Sequence, residues 1–107
     1  MIIYCDIDGT ICQNTYGFYS HAKPYVSRIQ KLNNLFDKGY KIVYYTARGA
    51  TSGIDWTELT KKQLDFWGVK YTEIKLGKPH YDFWLDDKAF GTDHLDEFFK
   101  KCESTTK

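Results

Sequence analysis

The stretch MIIYCDIDGT, residues 1–10, decides how this chain can fold. Its uncharged apolar run over residues 2–5 predicts a strand that is buried on both faces. The strand delivers Asp6 and Asp8 at its carboxyl end, and Gly9 then breaks the pattern. Two carboxylates this close repel each other unless a cation lies between them, and hard oxygen ligands of this kind suit Mg²⁺. The pattern predicts a metal-assisted reaction on an anion, although Asp and Gly are also ordinary turn residues.

The length and charge of the chain narrow the possibilities. With 107 residues the chain is long enough for one core and leaves no room for a second domain, so we predict one domain over 1–103 and a frayed tail over 104–107. Fifteen Lys and Arg against fourteen Asp and Glu give a formal charge of +1, which predicts no broad attraction to nucleic acid or membrane. There is no charged-then-apolar leader and no run of about eighteen apolar residues, so we expect no membrane segment.

The cysteines indicate a reducing environment. Cys5, Cys12 and Cys102 are odd in number and show no C-x-x-C spacing, which argues against a disulfide framework and against a zinc site. We therefore predict that all three are packing residues and that the protein is cytoplasmic.

Strand and helix patterns alternate along the chain. Residues 11–23 have no clear period and predict a loop or short hairpin beside the end of the first strand. The order strand, helix, strand, with mostly apolar strands, implies parallel pairs joined by right-handed crossovers. We predict an α/β domain of three layers, with a parallel sheet of about four strands and the first strand in the centre. The predicted strands are 2–5, 41–45, 71–76 and 81–85, and the predicted helices are 24–38, 57–67 and 92–102.

Polar side chains follow the main strands at the point where each strand ends. Because carboxyl ends of parallel strands share one edge of a sheet, these side chains are expected to meet in one crevice. Phosphoryl transfer needs such a set: a nucleophile, a cation that bridges it to a phosphoryl oxygen, and donors for the remaining oxygens. The set comprises Asp6, Asp8 and Thr10 from the first strand, Thr46 and Arg48 from the second, Lys78 from a glycine turn, and Asp86 and Asp87 from the fourth.

Four motifs in this order resemble those of the haloacid-dehalogenase (HAD) superfamily. The resemblance covers residues 1 to about 90, and the paired carboxylates of the first motif are similar to its phosphatase branch. It implies a small Rossmann-like fold of the HAD type. The motifs are Asp6-x-Asp8-Gly9-Thr10, then Thr46, then Lys78, then Asp86-Asp87.

The resemblance implies a role for each carboxylate. Asp6 would attack phosphorus and form an aspartyl-phosphate, and Asp8 would protonate the leaving oxygen and then activate water. Mg²⁺ would be held by the Asp6 carboxylate, the Asp8 main-chain carbonyl and Asp86, with Asp87 ligating directly or through water. The alternative for Asp87 is a cap on the following turn.

The remaining candidates concern the substrate. Thr46, Ala47 and Lys78 are predicted to bind the phosphoryl oxygens, with a solvated turn residue as the alternative for Lys78. Arg48 is either a fork for a second anionic group on the substrate or a surface charge. Tyr19 belongs to an aromatic loop that is expected to shape the pocket and contact the substrate.

The short intervals between the motifs leave no room for a cap domain, so the resemblance is to a capless member. Such members accept large substrates or form oligomers, and a homo-oligomer is therefore possible here. Four short stretches also resemble short stand-alone phosphatases of capsule and surface-polysaccharide synthesis: YTARG (45–49), WGVKY (67–71), GKPHYD (77–82) and DDKA (86–89). We predict a Mg²⁺-dependent phosphomonoesterase acting on a sugar phosphate or similar small metabolite. The alternatives are a phosphatase of nucleic-acid or other macromolecular ends, which the near-neutral charge disfavours, and a non-catalytic module that binds phosphate or a partner.

Overall fold

A parallel sheet of three strands organises the protein. The structure is a computed structural model that describes residues 1–105. The α/β class with a parallel sheet is confirmed. The strands are β1 (Ile2–Cys5), β2 (Lys41–Thr46) and β3 (Glu73–Leu76), and the helices are α1 (Val26–Asp37), α2 (Thr57–Phe66) and α3 (Leu95–Thr105).

The middle strand of the sheet is β2, and the order is β1-β2-β3. Cys5 of β1 lies beside Tyr44, and Tyr44 lies beside Ile74 of β3. The prediction that the first strand is central and buried on both faces is wrong for this structure. Ile2 is 63% exposed and Tyr4 is 55% exposed, because β1 lies at an edge and one of its faces is open.

All three helices pack on one face of the sheet. Side chains alternate between the two faces of a strand, and Cys5, Ile42 and Tyr44 point into the same core. The opposite face carries Tyr4 and Tyr45, whose rings meet edge to face at 6.0 Å. The described chain therefore has two layers instead of the predicted three. The helices contribute Ile29, Leu32 and Leu35 from α1, Leu64 from α2, and Phe99 and Cys102 from α3.

The missing third layer follows from the strand order. Two successive right-handed crossovers that move in the same direction place their helices on the same side of a sheet. A helix on the other side requires the strand order to reverse past β1. Within the described residues no strand pairs with the outer edge of β1, so the order does not reverse.

The predicted fourth strand at 81–85 is not a strand. This segment is irregular, with Phe83 88% exposed and Leu85 96% exposed. Its aromatic side chains are typical of a strand, but a strand also needs a neighbouring edge to pair with. The Lys78 N–H donates to the Thr46 carbonyl at 3.1 Å and so extends the pairing of β2 with β3, but over residues 1–105 no strand pairs with the outer edge of β1.

The helix boundaries differ from the predictions by a few residues. α1 begins two residues after Pro24, and α2 ends one residue before Trp67. A short 3-10 turn at Thr92–His94 precedes α3, which continues to Thr105 and so includes part of the tail that was predicted to fray. The rest of that predicted tail, 106–107, lies outside the described residues. All three cysteines are buried, as predicted. Over residues 1–105, each helix is too short or too polar to cross a membrane.

The Tyr44 hydroxyl destabilises the core in which it is buried. It is fully buried, burial raises its pKa, and it has no hydrogen-bond partner among the described residues. We expect Tyr44→Phe to raise the free energy of unfolding by about 1 kcal/mol, because it removes an unsatisfied hydroxyl and keeps the ring. Urea denaturation measures the change.

Tyr40 provides the matched control. Its buried hydroxyl donates to the Cys102 carbonyl at 3.4 Å. Tyr40→Phe is therefore expected to lower the free energy of unfolding by about 1 kcal/mol. A loss of stability in both variants would contradict the assignment of the Tyr44 hydroxyl as unsatisfied.

Candidate active site

A cleft of about 570 Å³ opens beyond the carboxyl ends of β1 and β2. Asp6 and Asp8 line it from β1, Thr46 from β2, and Lys78 from the turn after β3. Loops over 14–19 and 47–56 form its two sides. The crevice predicted at this edge of the sheet is therefore present, and five of its expected members, Asp6, Asp8, Thr46, Arg48 and Lys78, line it without the fourth strand.

A tight turn after β1 presents the two carboxylates. Ile7, between them, is fully buried, and its carbonyl accepts from the N–H groups of Thr10 and Ile11 at 3.1 and 3.0 Å. Gly9 has a φ of +84°, a conformation that side chains rarely adopt. With Ile7 anchored in the core, Asp6 and Asp8 on either side of it both reach the cleft.

Asp6 lies beside a cation. Its carboxylate is 3.8 Å from the Lys78 ammonium. Burial raises the pKa of Asp6, and the attraction of Lys78 opposes this only in part. The Lys78 ammonium also lies 5.2 Å from the ring centre of Tyr81 and 5.5 Å from that of Trp84. The result is a partly desolvated carboxylate, suited to act as a nucleophile, next to a positive charge that suits an incoming anion.

Thr46 supplies a hydroxyl at the floor of the cleft. Thr46 is 1% exposed, and its side-chain oxygen accepts a hydrogen bond from the backbone N–H of Arg48 at 3.1 Å. Because that bond uses the oxygen as acceptor, the O–H remains able to donate to an anion. Ala47 also lines the cleft. The three residues predicted to bind phosphate, Thr46, Ala47 and Lys78, therefore lie around one space.

Arg48 is the partner of Asp8. Its Nε and Nη2 each donate to one carboxylate oxygen of Asp8 at 2.9 Å, and its side chain is 0% exposed. The alternative of a surface charge is therefore excluded. The Tyr19 ring covers the guanidinium, and its centre lies 4.5 Å from the guanidinium carbon of Arg48. Tyr19 also lines the cleft.

Two residues that sequence analysis missed complete this arrangement. Thr60 and Gln63 of α2 both accept from Nη1 of Arg48, at 3.1 and 2.6 Å. Their spacing of three residues places them on one face of the helix. That spacing was the signal in the sequence, but it has meaning only once Arg48 is known to be buried beside α2.

Asp86 and Asp87 lie outside the cleft in this structure. Both are exposed, and an Asp86 oxygen accepts from the Lys88 N–H at 2.9 Å, a bond that lowers the pKa of Asp86. Over residues 1–105, no three His, Cys, Asp or Glu side chains form a metal-binding group. The oxygens at the cleft nevertheless fit Mg²⁺, which is commonly bound through one or two carboxylates with water and substrate phosphate. The half-buried Asp6 carboxylate, whose pKa burial raises, is the donor that a cation would stabilise.

Two solved structures are similar to this chain. No protein-family model and no curated protein matches it. The crystal structure of a target protein from Vibrio cholerae is 26% identical, with a TM-score of 0.81 over 99% of this chain and 98% of that chain. A chain in the structure of a Pnkp1/Rnl/Hen1 complex is 17% identical, with a TM-score of 0.58 over 94% of this chain and 33% of that chain. This second, distant likeness shows the fold alone.

Proposed function

We propose that this protein is a Mg²⁺-dependent phosphomonoesterase of the HAD type that works through Asp6. The observation that carries the proposal is the contact between the Asp6 carboxylate and the Lys78 ammonium at 3.8 Å in an open cleft. A nucleophilic carboxylate repels a phosphate dianion unless a positive charge lies beside it. The buried Thr46 hydroxyl at the same cleft adds a donor for a phosphoryl oxygen.

The proposed reaction has two displacements. In the first, an Asp6 oxygen bonds to phosphorus, the ester P–O bond breaks, and a proton from Asp8 passes to the leaving oxygen. In the second, water attacks the same phosphorus, Asp8 accepts its proton, and the bond between Asp6 and phosphorus breaks. The products are an alcohol and inorganic phosphate, and Asp6 returns to its starting state.

The magnesium ligands in this proposal are the Asp6 carboxylate, the Asp8 main-chain carbonyl, Asp86 and Asp87. When bound, the ion neutralises charge on the phosphoryl oxygens. Residues 81–90 are exposed in this structure and pair with no described strand, so the proposal requires this segment to bring Asp86 and Asp87 to the cleft when the ion binds.

Chelation and substitution at Asp86 test the metal. We expect EDTA to abolish phosphate release and Mg²⁺ to restore it. We expect Asp86→Asn to raise the Mg²⁺ concentration for half-maximal activity by about 10- to 100-fold, because a neutral amide is a weaker ligand than a carboxylate. Titrating Mg²⁺ against the rate of phosphate release measures both effects.

Asp82 offers the matched control, since it is an exposed carboxylate of the same segment. Asp82→Asn is expected to leave the Mg²⁺ requirement unchanged. Equal Mg²⁺ requirements for Asp86→Asn and Asp82→Asn would remove Asp86 from the ligand set. The same titration on Asp87→Asn distinguishes the two roles predicted for Asp87. A raised Mg²⁺ requirement indicates a metal ligand, and an unchanged requirement indicates a cap on the following turn.

The substrate class we propose is a sugar phosphate or similar small metabolite. Both loops of the cleft carry aromatic and hydroxyl side chains, among them Tyr16, Trp56 and Thr51, which suit a polyhydroxylated group. In the described chain, α1 and α2 are the only helices longer than one turn between the first and third motifs, which supports a capless enzyme. We further propose that the protein is cytoplasmic and that a second copy closes the open cleft.

A panel of phosphate esters tests the function directly. Phosphate release is measured for sugar phosphates, nucleoside monophosphates and a 3′-phosphorylated oligonucleotide, with Mg²⁺ and with EDTA. We expect metal-dependent release that is fastest from a small ester. Fastest release from the oligonucleotide, falling steeply with salt, would reassign the substrate to nucleic-acid ends. Phosphate binding without turnover of any ester would contradict an enzymatic function.

A further inference from the structure

We propose that Arg48 is a positioning residue that holds the Asp8 carboxylate in place for proton transfer. The inference rests on the proposed function, because it assigns a support to the acid and base of that reaction. It concerns a different step from the attack by Asp6, so the two can be tested separately.

Arg48 and Asp8 form a bidentate salt bridge. Two nitrogens of one planar guanidinium donate to the two oxygens of one carboxylate, both at 2.9 Å. This geometry fixes the rotation of the carboxylate as well as its distance. The Asp8 oxygen that accepts from Nε keeps a second lone pair, and that lone pair carries the transferred proton. Because the Arg48 side chain is 0% exposed, water does not compete for these bonds from the guanidinium side.

The guanidinium is itself held from three directions. Nη1 donates to Thr60 and Gln63 on α2, and the Tyr19 ring lies 4.5 Å from the guanidinium carbon. The Gln63 amide also donates to the Tyr19 carbonyl. Asp8 is thus connected through Arg48 to a helix and to a loop at the side of the cleft, and neither connection depends on substrate.

These bonds argue against a substrate-binding role for Arg48. Its Nε, Nη1 and Nη2 all donate to protein acceptors already. An anionic group of the substrate would have to displace Asp8 or the α2 side chains to reach it. Lys78, whose ammonium contacts Asp6, is the cation placed for the phosphoryl group.

If Asp8 were no longer held in position, the rate of hydrolysis would fall more for some esters than for others. An alkyl phosphate has a poor leaving group, so its P–O bond breaks only with proton donation. The leaving group of 4-nitrophenyl phosphate is stable as an anion and needs little help. If Arg48 positions Asp8, its loss should lower kcat/KM for the alkyl ester selectively, because kcat/KM reports the steps up to alcohol release.

The test compares wild type and Arg48→Lys on these two esters. Lysine keeps the charge but lacks the planar fork. We expect kcat/KM to fall about 100-fold for the alkyl ester and less than about 5-fold for the 4-nitrophenyl ester. Inhibition by inorganic phosphate should be unchanged, because phosphate binding does not use Arg48. Circular dichroism on heating establishes that the variant is folded.

Arg28 and Gln63 supply the control and the second variant. Arg28 donates to the carbonyls of Gly9 and Thr10 in the same turn and touches no carboxylate there, so Arg28→Lys should affect both esters equally. Gln63→Ala removes one acceptor from the guanidinium and is expected to give a smaller loss, about 5- to 10-fold, again selective for the alkyl ester. If Arg48→Lys does not fold, this selectivity in Gln63→Ala decides the matter.

Two results would overturn the inference while wild type remains an active phosphatase. An equal loss for both esters in Arg48→Lys and in Gln63→Ala would show that the network only supports the fold. Weaker inhibition by phosphate, with the ratio of the two esters unchanged, would show that Arg48 binds substrate. Absence of metal-dependent hydrolysis in wild type would instead overturn the proposed function itself.

Discussion

Asp6→Asn is expected to lower kcat for phosphate-ester hydrolysis by on the order of 10⁶-fold, which is the size of loss seen when an enzyme loses its nucleophile. The amide has nearly the size of the carboxylate but does not attack phosphorus. Asp8, the other carboxylate at the cleft, is held by Arg48 and is not free to replace it. Phosphate release is measured at equal Mg²⁺ for wild type and variant. Hydrolysis at the wild-type rate would exclude Asp6 as the nucleophile.

The loss of activity is expected without a loss of stability. Burial raises the pKa of Asp6 above the ordinary value of 3.8, so the ionised carboxylate destabilises the folded protein at neutral pH. This cost appears as the pH rises from 3.8 through the folded pKa, and it is absent at lower pH, where both states are protonated. Metal-free Asp6→Asn should therefore be more stable than wild type to urea at pH 7 and equal to it below pH 3.8.

Asp37 gives the matched control for the charge change. It is an exposed carboxylate that pairs with Lys70 at 2.7 Å, away from the cleft. Asp37→Asn removes one negative charge, as Asp6→Asn does, and it should retain activity. A similar loss of activity in both variants would point to a general effect of charge instead of a missing nucleophile.

Lys78→Met is expected to lower kcat/KM by about 100- to 1,000-fold, the usual effect of removing one donor that stabilises transition-state charge. Without the ammonium, Asp6 faces the phosphate dianion unscreened, and the phosphoryl oxygens lose a cation. Methionine keeps the length of the side chain and its contact with the rings of Tyr81 and Trp84, so the turn should persist. Rates across ester concentrations, together with inhibition by phosphate, measure the change.

Lys75 is the control for this substitution. It lies three residues earlier, and its ammonium contacts the Tyr4 hydroxyl at 3.2 Å on the open face of the sheet. Lys75→Met makes the same change in charge away from the cleft and should keep kcat/KM within about 2-fold, as is usual for a surface site. Equal effects at the two positions would mean that Lys78 is a solvated turn residue.

Local sequence patterns predicted most of the elements. The apolar run before Asp6, the three- and four-residue spacing in α1 and the short branched stretch of β2 each specify a periodicity that suits one kind of element. Three strands and three helices follow within a few residues of the predicted limits. The cleft followed as well, because parallel strands place their carboxyl ends at one edge whatever their order.

The sequence by itself thus determined the α/β class, the turn with Asp6 and Asp8, and their meeting with Thr46 and Lys78. The tertiary structure alone decided which edge of the sheet is open and what Arg48 contacts. Residues 81–85 have the composition of a strand, but pairing depends on a partner elsewhere in the chain, and here they pair with no described strand. From the sequence alone, Arg48 is predicted to be a surface charge or a substrate ligand. In the folded protein α2 buries it against Asp8, which is forty residues away in sequence. Burial and pairing depend on contacts between distant segments, and these are properties that no short stretch of sequence carries.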